Sequence, residues 1–261
     1  MKQVQAITKQ VSAIVRVTCH EILREKALWA SLVFSAILIM ISIAMSKLSF
    51  AEPWRIALDF GSAGISLAGA LLSITVGSSI IASEVKNKNL LLTLTKPLDR
   101  WQYVLGRAGG LFTVVTLNVL VMEFAAVLIF ISLGGHFHRT IVYQLILQLP
   151  EFYILGAISV FFSTFTTATL AAVFGLGIWL IGHAMDAVIL TIERIEVTAL
   201  ESFLLVLVKL LPDFTLFDLK PQLSHGILVP IKSVFLSASY GVIFCGFVIS
   251  ASCFVFSRRE L

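Results

Sequence analysis

The feature that most constrains this chain is a series of six apolar runs, each about as long as a bilayer is thick, set between polar stretches. A spanning helix needs about 20 mostly apolar residues, because backbone N–H and C=O groups inside hydrocarbon must be satisfied within the segment. Residues 27–46, 57–82, 103–133, 142–165, 167–187 and 233–256 meet that requirement. Charged residues make up only 13% of the 261, against roughly 25% in a soluble globular domain, so a water-soluble fold is excluded. The expected class is an all-α integral membrane protein with six transmembrane helices and both termini on one side.

Orientation follows from Lys and Arg, which are retained on the cytoplasmic face. The N-terminal tail carries Lys2, Lys9, Arg16, Arg24 and Lys26, and the stretch after the second run carries Lys86, Lys88, Lys96, Arg100 and Arg107. Arg258 and Arg259 lie at the other terminus. The alternate connections hold few: Lys47 and Arg55 in one, Arg139 in another. Between Asp186 and Lys232, the acids Asp186, Glu193, Glu196, Glu201, Asp213 and Asp218 outnumber the bases. Both tails and the 83–107 stretch are therefore expected in the cytoplasm. A net charge of +4 reflects this bias and gives no reason to invoke nucleic acid.

Residues 1–26 do not have the short apolar core of a cleaved signal. Val4, Ile7, Val11, Ile14, Val15, Ile22 and Leu23 recur at helical spacing while Lys2, Lys9 and Arg16 fall on another face, which predicts an amphipathic helix on the inner leaflet. Cys19 sits in that tail, and Cys245 and Cys253 sit in the last apolar run, so no extracytoplasmic disulfide framework is available.

The 83–106 stretch, SEVKNKNLLLTLTKPLDRWQYVLG, is the longest polar-broken segment on the inner side. Leu90, Leu91, Leu92 and Leu94 form an apolar patch too brief to span, so either a partner or lipid must cover it. Pro97 forbids a continuous helix. Asp99, with Gln102 three residues later, has the form of a capping box that starts the next helix, and Trp101 and Tyr103 suit interfacial depth.

These residues resemble a known family. Glu84 with the run NKNLLLTLTKPLDRWQYVLGR is similar to the conserved inner-side pattern of ABC-2 type transporter permeases, close to the Nos-type group. LLPDFTLFDLK at 210–220, followed by His225 and Gly226, resembles that group's last extracytoplasmic element, and FSRREL at 256–261 resembles its terminus. Asp213 stands where Asn is commoner and Glu260 where Asp is commoner.

The resemblance implies a single permease domain over 1–261 with a type V exporter-like ABC-2 fold. Its parts would be a cytoplasmic interfacial helix at 1–26, a coupling segment at 83–102 and an extracytoplasmic segment at 188–232. It implies a half-transporter of the bacterial inner membrane, working as an exporter, that pairs with a second copy and with cytoplasmic ABC ATPase subunits. Leu90, Leu91, Leu92 and Leu94 would plug a groove of the ATPase, Glu84, Lys86, Lys88 and Arg100 would contact its rim, and Pro97 would set the turn. ATP and Mg would be bound by that partner. This chain is expected to bind no cofactor and to be no enzyme: it has no GxxxxGK[ST] run, and GRAGG at 106–110 lacks the Lys and hydroxyl of a phosphate cradle.

In related folds the second and fifth spans face the dimer axis. Here the second offers Gly69, Ser73 and Gly77 at four-residue spacing with Thr75, Ser78 and Ser79, and the fifth offers Ala171, Gly175, Gly177 and Gly182. Ser73, Thr75, Ser78 and Gly175 are candidates for a translocation path, and ordinary close helix packing is the alternative. Glu123 is read as the acid well inside a span, either a substrate or proton site or a structural pair. His136 and His138 make an incomplete metal set, so no metal site is expected. Residues 192–211 place Glu193, Glu196 and Glu201 opposite Leu200, Phe203, Leu204, Leu207 and Leu211, which predicts an interfacial helix that gates the outer mouth, docks a periplasmic partner or shields the assembly from lipid. Neither GxSxG nor HExxH occurs, which argues against a membrane hydrolase. The rival to a permease is a membrane scaffold that recruits an ATPase without forming a substrate path.

Overall fold

The computed structural model describes residues 2–46, 53–86, 99–135, 139–192, 204–206, 208–220, 222 and 229–258. The α-helices that frame these residues are α1 (Lys2–Leu23), α2 (Lys26–Ser46), α3 (Pro53–Lys86), α4 (Arg100–Ser132), α5 (Arg139–Ser163), α6 (Ala168–His183), α7 (Met185–Ile192) and α8 (Ile231–Arg258). A 3-10 turn, Thr215–Phe217, stands between α7 and α8.

Five helices, α2, α3, α4, α5 and α8, are long and apolar enough to cross a membrane, and α6 with α7 forms a sixth candidate bent by 75°. The expected fifth span at 167–187 is thus not one straight helix. The 16 residues of α6 reach about 24 Å, and the chain then turns at Ala184. By contrast α3, with 34 residues, runs about 51 Å, well past a hydrocarbon core of about 30 Å.

The polarity of the bundle is inverted relative to a soluble protein, and that decides the class. Phe235, Leu236, Val242, Ile243 and Phe247 of α8 are exposed, as are Trp29, Val33, Ile37 and Met40 of α2. Meanwhile Gln148, Glu151, Ser73, Ser159 and Ser163 are buried. In water such an outer surface would aggregate, whereas in lipid it meets a solvent as apolar as itself. The chain is a multi-pass helical membrane protein.

The interior is built around α3 and α5, the two most buried spans. Gly69 and Gly77 of α3 receive α5 directly: a Cβ on Gly69 would lie 2.6 Å from Phe152 Cζ, and one on Gly77 would lie 2.9 Å from the Gly156 carbonyl oxygen. Small residues here let two backbones approach, which replaces the hydrophobic drive that lipid cannot supply. α2 is apolar on every side, and its serines mark the inward face: Ser31, Ser35 and Ser42 are buried, and Ser42 Oγ donates to the Ala57 carbonyl at 2.8 Å. α8 packs on α5 and α4, α6 packs on α3 and α5, and α1 packs along the first turns of α4.

Candidate functional site

Two ends of the bundle carry chemistry, and they differ in kind. At the end where α1 lies, α4 presents Gly106, Gly109 and Gly110 as a seat. A Cβ on Gly106 would lie 2.6 Å from Ile14 Cβ, and one on Gly110 would lie 2.5 Å from Thr18 Cβ. The GRAGG run is therefore a helix-docking stripe. Between the glycines stands Arg107, which is buried. Its Nε donates to the Tyr103 hydroxyl at 3.0 Å, its Nη1 reaches Thr18 Oγ1 at 3.4 Å, and the same Nη1 pairs with Glu21. The apolar stripe expected on α1 is used: Ile22 is buried, Ile14 and Val15 are half-buried, and Lys9 and Arg16 are exposed. It lies against protein along α4.

Asp99 is the N-cap of α4, as its position predicts, but the box closes differently. The Asp99 carboxylate makes no capping hydrogen bond to the backbone; instead it accepts from Gln102 Nε2 at 3.1 Å. Arg100 Nη1 donates to the Ser257 carbonyl at 3.3 Å, and Tyr103 stacks on Phe256 with centroids 6.1 Å apart. The start of α4 is thus tied to the end of α8. Of the other coupling candidates, Glu84 and Lys86 stand in the last turn of α3. Lys88, Leu90, Leu91, Leu92, Leu94 and Pro97 lie outside the described residues, as do His136 and His138.

The path candidates are not brought together on one open surface. Ser73 and Ser78 are buried within the protomer, and Gly175 faces Ser159, whose Oγ would lie 2.7 Å from a Cβ built there. Thr75 is exposed and lines a groove of about 360 Å³ between α2 and α3, together with Ala30, Phe34 and Leu71. Ser73 Oγ and Ser159 Oγ have no hydrogen-bond partner among the described residues. Glu123 sits elsewhere, on a cavity of about 30 Å³ lined also by Ser62 and Gln144. One of its carboxylate oxygens is buried without a partner among the described residues. A space of that size holds about one water.

At the far end, the residues that matter most escaped the sequence reading. Glu123 is not alone inside the spans, because Glu151, one residue after Pro150, is buried in the middle of α5. Trp179 Nε1 donates to Glu151 Oε1 at 3.3 Å, and His183 Nε2 lies 3.5 Å from the same oxygen. The available signal was an acid inside an apolar run facing a Trp and a His four residues apart on the next helix, a spacing that puts both on one helical face.

The segment before α8 closes over this cluster. Phe214 and Phe217 are completely buried, Phe214 packs on His183 with centroids 5.6 Å apart, and the Phe214 N–H donates to the Gly182 carbonyl at 3.2 Å. Leu219 N–H donates to Gln144 Oε1 at 2.8 Å. A Cβ on Gly182 would lie 2.7 Å from the Pro212 carbonyl oxygen, and one on Gly241 would lie 2.5 Å from Pro150 Cβ. The PDFTLFDLK stretch is thus wedged among α5, α6 and α8. Of the expected 192–211 helix, Leu204 and Leu211 pack with Met185, Ile192 and Val208 beside α7; Glu193, Glu196, Leu200, Glu201, Phe203 and Leu207 lie outside the described residues. Compared with protein-family models and with curated proteins, the chain matches none.

Proposed function

We propose that this chain is the transmembrane permease subunit of an ATP-driven transporter of the ABC-2 type, working as an exporter in a bacterial inner membrane. Two copies would form the translocation unit, with ATP and Mg held by a separate cytoplasmic ATPase. The end bearing α1 would face the cytoplasm, where Lys9, Arg16, Arg24, Arg100 and Arg107 cluster.

The observation that carries this reading is the placement of the resembling motif. Residues 87–98 connect two helices of 34 and 33 residues, each longer than the bilayer core is thick. α3 is half of the buried central pair, and the start of α4 is bonded to α1 through Arg107 and to α8 through Arg100. A force applied to 87–98 by a closing ATPase would therefore reach α1, α3, α4 and α8 as rigid bodies. Such elements suit a two-state, alternating arrangement.

The test is association with the ATPase that co-purifies with this chain. Leu91→Asp would place a charge in the apolar plug, and it should abolish both co-purification and the stimulation of ATP turnover while leaving the thermal midpoint of the isolated chain unchanged. Retained binding and turnover would sink the coupling role. A second reading, a scaffold that recruits the ATPase without a path, is favoured by the burial of Ser73, Ser78 and Gly175 within one copy. ATP turnover insensitive to every transported compound tried, with binding intact, would select it.

A further inference from the structure

The hydrogen bonds around His183 fix how many protons the far-end cluster holds. His183 Nδ1 lies 3.2 Å from the Trp179 carbonyl oxygen. A carbonyl only accepts, so Nδ1 carries the hydrogen. The opposite ring nitrogen, Nε2, then has a bare lone pair in the neutral ring, and it faces Glu151 Oε1 at 3.5 Å. That oxygen already accepts from Trp179 Nε1 and belongs to an acid that is only 2% exposed. Two lone pairs aimed at each other repel, and although the His183 side chain is 26% exposed, Glu151 at 2% has almost no water to screen the conflict. A proton between them, carried by either atom, removes the conflict: protonated Glu151 donates to Nε2, or protonated His183 donates to Oε1.

We propose that Glu151 and His183 form a proton-binding site whose single bound proton latches the 212–220 segment into the bundle. The latch is physical, since Phe214 lies on the His183 ring and its N–H bonds the Gly182 carbonyl one residue away. Turning His183 away from an unprotonated Glu151 removes the surface on which Phe214 rests. The charged groups acting on the pair come from that same segment: Lys220 and Asp218 on both residues, and Asp213 on His183. From α8, the Tyr240 hydroxyl accepts from the Asp213 N–H at 3.4 Å, and α7 carries the exposed Asp186 one turn beyond His183. Loss of the proton leaves a bare Glu151 carboxylate with Lys220 as its nearest cationic neighbour from the segment. The proposal is independent of the permease reading, because it needs only this chain.

Hydrogen exchange of the full chain in detergent micelles tests it, with labelling times scaled to the intrinsic rate at each pH. In the wild type, protection of 212–220 should fall at least about tenfold between about pH 5 and about pH 9, while α4 around Gly110 stays protected. Glu151→Gln should abolish the pH dependence of 212–220 protection, because its carboxamide N–H donates to His183 Nε2 without a bound proton, although that nitrogen cannot accept from Trp179 Nε1. His183→Ala should leave the segment unprotected at both. Protection in the wild type that does not change with pH would overturn the proposal, as would the same transition surviving in Glu151→Gln. Should either variant fail to fold, Trp179 fluorescence in a Trp29→Phe, Trp54→Phe, Trp101→Phe background decides: one transition over that range supports a one-proton site, and a flat profile refutes it.

Discussion

Two segments outside the spans dock on this bundle, α1 at one end and residues 212–220 at the other, and they use the same device on opposite electrostatic terms. Each is received by glycines: Gly106 and Gly110 admit Ile14 and Thr18, and Gly182 and Gly241 admit the Pro212–Phe214 turn and Phe217. The α1 seat carries an ion pair whose acid, Glu21, keeps half its side-chain surface in solvent. The far seat carries Glu151, buried beside a histidine that supplies no fixed charge. At the α1 seat the buried Arg107 charge keeps a fixed, half-hydrated partner whose attraction is partly screened, whereas a buried carboxylate must hold a proton or a partner to stay folded. The first seat is therefore suited to permanent attachment and the second to a change of state.

The largest effect expected from breaking this contrast is at Phe214, which is completely buried. Phe214→Ala should cost about 3 to 5 kcal/mol, seen as a lower thermal midpoint and rapid proteolysis within 204–220. Next comes the glycine of the same seat. Gly182→Ala sets a Cβ against the Pro212 carbonyl, a backbone atom that cannot rotate away, and should cost roughly 2 to 3 kcal/mol. Gly110→Ala should cost less, roughly 1 to 2 kcal/mol, because α1 packs on the outside of the bundle and can move away as a unit to relieve the contact with Thr18; loss of protection in α1 alone would report it. If Gly110→Ala proved the more harmful, the idea that α1 is the more tolerant attachment would fail.

Smaller effects sharpen the charge side of the comparison. Glu21→Gln should lower the thermal midpoint by an amount that shrinks in high salt, since Arg107 keeps Tyr103 and Thr18. Smallest of all is Glu25, between α1 and α2. Burial, and then the neighbouring Glu21 carboxylate, raise its pKa, with Arg107 opposing. A carboxyl group raised on folding contributes stability that is present at low pH and lost as pH rises through its folded value. Glu25→Gln should therefore slightly raise the midpoint at neutral pH, and the difference should vanish as pH falls below the usual carboxylate range. A gain that grew on acidification would contradict the assigned sign.

Much of the fold was legible because apolar length is a local property. The runs at 27–46, 57–82, 103–133, 142–165 and 233–256 all became single helices, and Asp99 opened α4 where its spacing with Gln102 placed it. The site was less legible. GRAGG could be dismissed as a phosphate cradle, but its positive use depends on Ile14 and Thr18, about ninety residues earlier in the chain. Glu151 was passed over because one acid barely dents a 24-residue apolar window, and its meaning depends on Trp179 and His183 arriving from α6 and Phe214 from the segment before α8.

Sequence alone determined that this chain enters a membrane, how many apolar segments it offers and which end collects the positive charge, because hydropathy and charge act on each segment separately. Only the tertiary structure decided that α3 and α5 form the interior, that the fifth segment bends, that GRAGG seats a helix and that Glu151 meets His183. Those outcomes rest on close approach between residues distant in the chain, where a missing Cβ or a misplaced lone pair decides what fits.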